Sequence, residues 1–239
     1  MTLPAFSLVI PAYNEAQRIG QSLHKVLQYL REESAESEVI VVDDGSTDAT
    51  SAIVREVFRE AGGISTQLLQ QAPNHGKGWA VRAGLHAATQ PVALFSDADL
   101  STPITEAPKL LEPIFADEVD VAFGSRALNR KLIGVRQGWH REQGGRVFNL
   151  VVRLATGLPF WDTQCGFKAF HLERFRPVLA QAESDGFGFD VELLYLARQA
   201  NLRLREIPVR WDHNDGSKVS FLRDSMRMLR EIVALRGRS

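Results

Sequence analysis

The sequence predicts an α/β fold in which a mostly parallel sheet is flanked by helices, and three observations support this class. Apolar runs without a helical period, such as residues 6–10, 39–42 and 92–95, are typical of strands buried on both faces. Segments with the 3.6-residue apolar period of amphipathic helices alternate with these runs. The length of 239 residues and the charged fraction of 24% suit one soluble globular domain.

Four strands and the helices between them account for the first half of the chain. The strands are predicted over four short segments, residues 6–10, 39–42, 67–70 and 92–95. Pro11 should end the first strand and Asn14 should cap the first helix. Ser46 or Thr47 should cap the second helix. Because strands joined through helices run parallel, the loops that follow them meet at one sheet edge, where α/β proteins bind ligands.

Charge separates the two halves of the chain. Residues 1–120 hold 8 Lys/Arg and 17 Asp/Glu, whereas residues 121–239 hold 20 and 12. A fifth strand is predicted over residues 119–123, and residues 126–146 contain six Lys/Arg and one Glu. The basic half is therefore expected to contact an anionic partner, either a phosphate or a membrane surface.

Two carboxylates, Asp97 and Asp99, directly follow the fourth strand. Alternate residues at a strand end point to the same side, so both side chains can reach one ion. Carboxylate oxygens suit Mg²⁺ or Mn²⁺, which leave positions for water and substrate phosphates. With Asp43 or Asp44 on the base or ribose hydroxyls, this edge would hold a nucleotide diphosphate. Lys77 is either a further phosphate or base contact or an ordinary first-turn lysine.

Missing motifs disfavour several other classes of protein. The segment Gly76-Lys77-Gly78 lacks the spacing of the dinucleotide and P-loop fingerprints, which argues against a dehydrogenase or P-loop ATPase. Zinc-ligand spacings, signal-peptide features and apolar runs of membrane-span length are absent as well. The single cysteine, Cys165, excludes an internal disulfide and suits a reducing compartment. We therefore expect a cytoplasmic protein, and no nucleic acid among its partners.

Six motifs follow one another in a fixed order along the chain. They are Ser7–Glu15, Val41–Asp48, Asp97-Ala98-Asp99, Gly124-Ser125-Arg126, Asp162–Lys168 and Phe189–Tyr195. In these motifs the sequence resembles the inverting family 2 glycosyltransferases of the GT-A fold. The last two motifs are similar to those of the polyprenyl-phosphate (dolichyl-phosphate) sugar synthases, most of all the dolichyl-phosphate β-glucosyltransferase type. The resemblance covers nearly the whole chain and implies a Rossmann-related α/β fold.

The resemblance also implies roles for individual residues. A nucleotide-sugar donor would contact Pro11, Ala12, Tyr13, Glu15, Asp43, Asp44, Lys77, Asp97, Ala98 and Asp99. The catalytic group would be Asp97 and Asp99, which also ligate Mg²⁺ or Mn²⁺, together with Arg126. The acceptor phosphate would lie near Arg126, Arg130, Lys131, Arg136 and Lys218. Ser101 stands where some mannosyl members have a metal-ligating Gln, which disfavours mannosyl transfer.

The predicted reaction is metal-dependent, inverting transfer of glucose from UDP-glucose to a polyprenyl or dolichyl phosphate. A phosphomonoester has a second pKa of about 6, so the acceptor is already anionic and needs no strong base. Two alternatives remain open. One is a family 2 transferase with a GDP-mannose donor, or with a saccharide or protein acceptor. A saccharide or protein acceptor would require a general base. The other is an inactive sugar-nucleotide-binding module. For Asp190, both a helix cap and a general base remain open.

We expect one catalytic domain over residues 1–215, with donor and metal bound by 1–125 and the acceptor by 126–215. Residues 216–239 are predicted to form a basic amphipathic helix that lies in a membrane interface, or alternatively packs on its own core. The apolar residues 147–154 and the aromatic side chains that follow them would add to this surface. Peripheral association with the cytoplasmic face of a membrane is therefore expected, and a partner membrane protein is compatible with it.

Overall fold

A computed structural model describes residues 3–34, 36–134 and 139–212, without the side chains of residues 139–143 and 145–147. Seven strands lie within these ranges: β1 Ser7–Ala12, β2 Glu38–Asp44, β3 Ser65–Gln71, β4 Val92–Ser96, β5 Val121–Ser125, β6 Phe167–His171 and β7 Leu204–Pro208. The helices there are α1 Ile19–Glu33, α2 Thr50–Arg59, α3 Lys77–Ala87, α4 Ala107–Phe115, α5 Trp139–Thr156, α6 Leu172–Leu179 and α7 Phe189–Gln199. The predicted C-terminal helix, Arg136 and Lys218 lie outside the described residues.

All seven strands belong to one sheet with the order β3-β2-β1-β4-β6-β5-β7. Every pairing is parallel except those of β6, which runs antiparallel to both β4 and β5. The predicted α/β fold with a mostly parallel sheet is therefore confirmed. Strands β6 and β7 were not predicted, and the first two residues of β6 belong to the motif Asp162–Lys168. The insertion of β6 brings that motif to the end of β4.

The sheet separates two apolar layers. Alternate residues of β1 face opposite sides, with Leu8 and Ile10 in one cluster and Val9 in the other. The first layer contains apolar side chains of α1, α2 and α4, and the second contains those of α3, α5, α6 and α7. Burial on both faces explains why the central strands read as continuous apolar runs in the sequence.

The predicted ends of the first elements are wrong in three places. Pro11 lies within β1, opposite Val42 of β2. The pairing of β1 with β4 has already ended at Val9, so a missing N–H on that side costs no ladder hydrogen bond. Asn14 is not a helix cap, because it has a φ of 53° and α1 begins only at Ile19. The expected Ser46 or Thr47 cap is also absent, since α2 begins at Thr50 after Ala49.

An ion network far from the ligand edge makes the free energy of unfolding depend on pH in the acid range. Arg174 and Arg203 both bond Asp117 and Asp120 at 2.6–2.8 Å. Hydrogen bonds from Arg174 and Arg203 lower the pKa of Asp117 to about 2. Hydrogen bonds from Arg203 first, and from Arg174, outweigh burial and lower the pKa of Asp120 as well. A depressed pKa contributes stability that is complete above the unfolded value near 3.8 and is lost as the pH falls toward 2.

We expect Asp120→Asn to lower the free energy of unfolding by about 2 kcal/mol at pH 7, because it weakens charge-assisted hydrogen bonds to a buried carboxylate. The variant should also lose less additional stability than the wild type between pH 4 and pH 2. Urea unfolding at several pH values measures both effects. Equal acid sensitivity of the two proteins would contradict the prediction.

Candidate active site

The loops that follow β1 and β2 are tied together at the carboxyl edge of the sheet. The backbone N–H of Asn14 donates to Ser46 Oγ at 2.9 Å, and the N–H of Thr47 donates to Asn14 Oδ1 at 2.8 Å. The N–H of Glu15 donates to Thr50 Oγ1 at 2.7 Å. The predicted donor residues Tyr13 and Glu15 therefore lie in one braced loop directly after Pro11 and Ala12 of β1, and the ring of Tyr13 is exposed at its surface.

Asp43 and Asp44 are both buried at the end of β2. Asp43 accepts the N–H of Ser46 at 3.0 Å. The Asp44 carboxylate accepts hydrogen bonds at 2.7–2.9 Å from three groups of the turn before α3, namely Asn74 Nδ2, His75 N and Gly76 N. Asp44 thus stabilises the turn that precedes Lys77 and positions it at the site.

The carboxylates of Asp97 and Asp99 lie at the end of β4, each with a cation nearby. Lys77 Nζ is 2.6 Å from Asp97 Oδ1, and Arg18 Nη1 is 3.9 Å from Asp99 Oδ2. Asp99 Oδ1 also accepts the backbone N–H of Ser101 at 2.9 Å. A side chain at position 166 would collide with the Asp97 carboxylate, so Gly166 makes room for it. Lys77, for which a phosphate or base contact and an ordinary first-turn lysine were both left open, begins α3 and pairs with Asp97 at this edge.

The carboxylate oxygens at this edge fit a divalent ion that is also coordinated by a bound substrate. Within the described ranges, no group of three His, Cys, Asp or Glu residues could hold a metal ion by itself. Mg²⁺ is commonly bound by one or two carboxylates together with substrate phosphates, and Asp97 and Asp99 supply such a pair. Both carboxylates are partly exposed, so they are accessible to an ion.

Arg126 directly follows β5 and is held rigidly by Asp162. Its Nε and Nη2 donate to the two carboxylate oxygens of Asp162 at 2.7 and 2.8 Å, and its backbone N–H donates at 2.9 Å. Burial alone would raise the pKa of the Asp162 carboxyl, but Arg126 holds it below its ordinary value. Glu206 fixes Asp162 in turn by accepting its backbone N–H at 2.8 Å. The guanidinium is thereby pre-oriented and permanently charged.

Two of the other predicted acceptor residues, Arg130 and Lys131, lie within the described residues. Both are exposed in a short 3₁₀ turn after β5, in which Asn129 Oδ1 accepts the backbone N–H of Lys131 at 3.2 Å. Cys165 is buried beside Thr102, and burial raises the pKa of its thiol to about 12. Cys165 is therefore a packed residue of the interior.

Sequence reasoning missed several charged residues of this site. Arg18, which pairs with Glu15 in a three-residue spacing, had no motif to distinguish it. The role of Asp162 in holding Arg126 depends on a contact over 36 residues of sequence. Asp190 is not a helix cap, since Gly188 occupies that position, and it pairs instead with Lys168.

At its carboxyl edge, the Rossmann-related sheet carries paired carboxylates beside lysine and arginine side chains that are held in place. This arrangement suits a glycosyltransferase that uses an activated sugar. The comparison with protein families agrees: the model of glycosyl transferase family 2 matches residues 7–177. The chain belongs to this family and is an enzyme of the glycosyltransferase class.

Known proteins extend this assignment along the chain. A dolichyl-phosphate beta-glucosyltransferase from Drosophila melanogaster is 37% identical over 241 residues, which cover 96% of this chain and 73% of the relative. The Saccharomyces cerevisiae protein of the same name is 32% identical, with coverage of 96% and 73%. The predicted resemblance to the dolichyl-phosphate glucosyltransferase type is confirmed.

Solved structures confirm the GT-A fold. Glucosyl-3-phosphoglycerate synthase from Mycobacterium tuberculosis, crystallised with UDP, superposes with a TM-score of 0.67 at 20% identity, covering 96% of this chain and 80% of that one. The same enzyme with Mn²⁺, UDP-glucose and glycerol 3-phosphate gives 0.67 at 20% identity, with coverage of 97% and 78%. None of the helices in the described ranges combines the length and hydropathy of a membrane span.

Proposed function

We propose that this enzyme transfers glucose from UDP-glucose to a dolichyl or other polyprenyl phosphate, with inversion at the anomeric carbon. The observation that carries the proposal is a fixed, charged Arg126 at the same sheet edge as the Asp97 and Asp99 pair. Such an edge suits two phosphate-bearing substrates, a nucleotide diphosphate and an acceptor phosphate. The relatives named dolichyl-phosphate beta-glucosyltransferase support this acceptor, and the Mn²⁺ and UDP-glucose complex of the solved neighbour supports this donor.

The proposed donor site lies between the loops after β1, β2 and β4. Asp97 and Asp99 would hold Mg²⁺ or Mn²⁺, which neutralises the departing diphosphate when bound. Lys77 places a further positive charge at Asp97 Oδ1, where the diphosphate would lie. Residues 1–125 would thus serve the donor, and residues 126–215 the acceptor.

The proposed chemistry is a direct displacement. An oxygen of the acceptor phosphate attacks the anomeric carbon, the bond from that carbon to the diphosphate oxygen breaks, and its electron pair leaves with UDP. Arg126 orients the attacking phosphate, assisted by Arg130, Lys131, Arg136 and Lys218. Since the phosphate is anionic at neutral pH, alignment and charge stabilisation can supply the rate enhancement without proton abstraction.

A transfer assay tests this proposal. Purified protein is incubated with each of UDP-glucose and GDP-mannose, with Mn²⁺ or Mg²⁺, in the presence and absence of polyprenyl phosphate. Metal-dependent glucosyl transfer to the lipid from UDP-glucose is expected. Transfer only to a saccharide or protein would favour the alternative acceptor class. Nucleotide binding without any turnover would favour an inactive binding module.

An apolar surface beside the acceptor half supports the proposed contact with a membrane. Leu150, Val151 and Leu154 project from the C-terminal half of α5, and Leu154 is 72% exposed. Trp161 is 56% exposed, and Arg153 lies 4.0 Å from its ring centroid. Apolar and aromatic side chains with a flanking cation suit the interface of an anionic bilayer. Of the aromatic side chains predicted to add to this surface, Trp161 does so, whereas Phe160 packs on the core.

We expect Leu154→Glu to reduce binding to vesicles of phosphatidylcholine and phosphatidylserine by about tenfold or more, since it places a charge in the apolar contact. Vesicle co-sedimentation measures the effect. Gln67→Glu, which adds the same charge on the exposed edge strand β3, is the matched control and should bind as the wild type does. Equal binding by both variants would place the membrane contact elsewhere, and the proposed location on the cytoplasmic face of a membrane would lose this support.

A further inference from the structure

Among the residues that the structure describes, the buried ion pair of Lys168 and Asp190 has no part in the proposed chemistry. Lys168 Nζ lies 2.5 Å from Asp190 Oδ1, and it also donates to the backbone carbonyl of Cys165. The Lys168 side chain is 0% exposed and that of Asp190 is 6% exposed. Lys168 belongs to β6 and Asp190 to the first turn of α7. The pair therefore joins the inserted antiparallel strand to a helix behind the site.

Stability alone does not account for this pair. Removing two charges from water costs several kcal/mol per ion, and apolar residues of similar volume often replace a buried ion pair without loss of stability. Breaking such a pair by removing one partner, in contrast, leaves an uncompensated buried charge. A buried pair at the back of a substrate site is therefore a candidate for a functional role.

Lys77 lies beside the first turn of α7, which carries Asp190. Its ammonium is 5.5 Å from the ring centroid of Phe95 and 5.9 Å from that of Phe189. Phe189 immediately precedes Asp190, and Phe95 lies two residues before Asp97. Burial opposes the charge of Lys77, but Asp97 and then Asp190 outweigh it and raise the pKa of its ammonium.

We infer that Asp190 is a positioning residue that acts through Lys77 on Asp97, and that it is not a proton acceptor in the reaction proposed above. Lys77 pairs with Asp97 on one side and lies over the ring of Phe189, the residue before Asp190, on the other, so its ammonium has one preferred place at the end of β4. Lys168 balances Asp190 and keeps its carboxylate turned into the interior. The diphosphate of the donor then meets an ammonium that is already ordered.

A mutant cycle tests this inference by nucleotide binding. The four proteins are the wild type, Lys77→Met, the paired substitution Lys168→Met with Asp190→Asn, and the combination of all three. The paired substitution removes both buried charges together, so the protein is expected to fold with a melting temperature near that of the wild type. Calorimetry measures the binding of UDP with Mn²⁺, or of GDP where the transfer assay selects that donor.

We expect the paired substitution to weaken nucleotide binding about tenfold in the wild-type background and to have no further effect beside Lys77→Met. This non-additivity is the signature of a residue that acts through Lys77. Additive losses, or wild-type affinity in the folded paired variant, would leave the pair a structural role only and overturn the inference.

The pH dependence of transfer separates positioning from proton abstraction. For the paired substitution Lys168→Met with Asp190→Asn, kcat/KM should fall about tenfold with an unchanged shape of the pH profile. Loss of a general base would instead remove the acid limb of the pH profile and lower the rate by about 10²-fold to 10⁴-fold. A wild type that binds nucleotide but forms no lipid-linked sugar would refute the proposed function alone, and the binding cycle would still decide the role of Asp190. A wild type that binds neither nucleotide would refute both.

Discussion

Replacing Asp99 by asparagine is expected to lower kcat/KM for glucosyl transfer by about 10³-fold. Asparagine keeps the size of the side chain and can still accept the N–H of Ser101, so the fold should persist. It removes a negative charge from the pair that would hold the divalent ion. Affinity for Mn²⁺ in the presence of UDP should therefore fall together with the rate.

The matched control for this variant is Glu118→Gln. Glu118 forms an exposed ion pair with Arg205 just before β5, at the opposite edge of the sheet from Asp99. Its neutralisation removes the same charge without touching the site, and both kcat/KM and Mn²⁺ affinity should remain those of the wild type. An Asp99→Asn enzyme with wild-type dependence on Mn²⁺ would show that the ion is held elsewhere.

Replacing Arg126 by lysine is expected to lower kcat/KM for the lipid phosphate by about 10²-fold. Lysine keeps the positive charge, so the buried Asp162 carboxylate stays compensated and the protein should fold. An ammonium cannot make the paired contact of Nε and Nη2 with Asp162, and the cation loses its fixed orientation. The loss should appear mainly in the steps that involve the acceptor, with little change in the affinity for UDP.

Titration of transfer rate against polyprenyl phosphate, at saturating donor, measures this effect. Arg205→Lys is the control, because Arg205 also pairs with a carboxylate but is exposed on the edge strand β7. A defect of Arg126→Lys in UDP binding and not in acceptor kinetics would move Arg126 to the donor side. Asp162→Asn should reproduce the acceptor defect, since it weakens the group that orients Arg126.

The two experiments address opposite ends of the proposed reaction. Asp99 belongs to the donor and metal half, and Arg126 to the acceptor half. If both variants behave as expected, donor and acceptor subsites meet where β4 and β5 end, separated in the sheet by β6. The segment that leads into β6 would then contact both subsites, through Gly166 beside Asp97 and through Asp162 on Arg126.

The sequence by itself determined the positions of the site residues that follow apolar strands. Asp97 and Asp99 could be placed at the sheet edge because strand burial and chain direction are local properties, encoded in runs of neighbouring residues. The α/β class and the position of Arg126 after a strand followed from the same patterns. The ends of the first elements were misjudged, since Pro11 and Asn14 take conformations that depend on neighbouring strands and loops, and strands β6 and β7 were not predicted.

Only the tertiary structure decided how the charges are paired. Arg126 meets Asp162, Lys77 meets Asp97, and Lys168 meets Asp190, across separations of 20 to 36 residues. Ion pairing depends on distance in space and on burial, and neither is encoded in the spacing of charged residues along the chain. The antiparallel strand β6 creates much of this proximity, because it returns the chain to the end of β4. The sequence thus predicted which charged residues follow the strands, and the tertiary structure determined which of the charged residues form pairs.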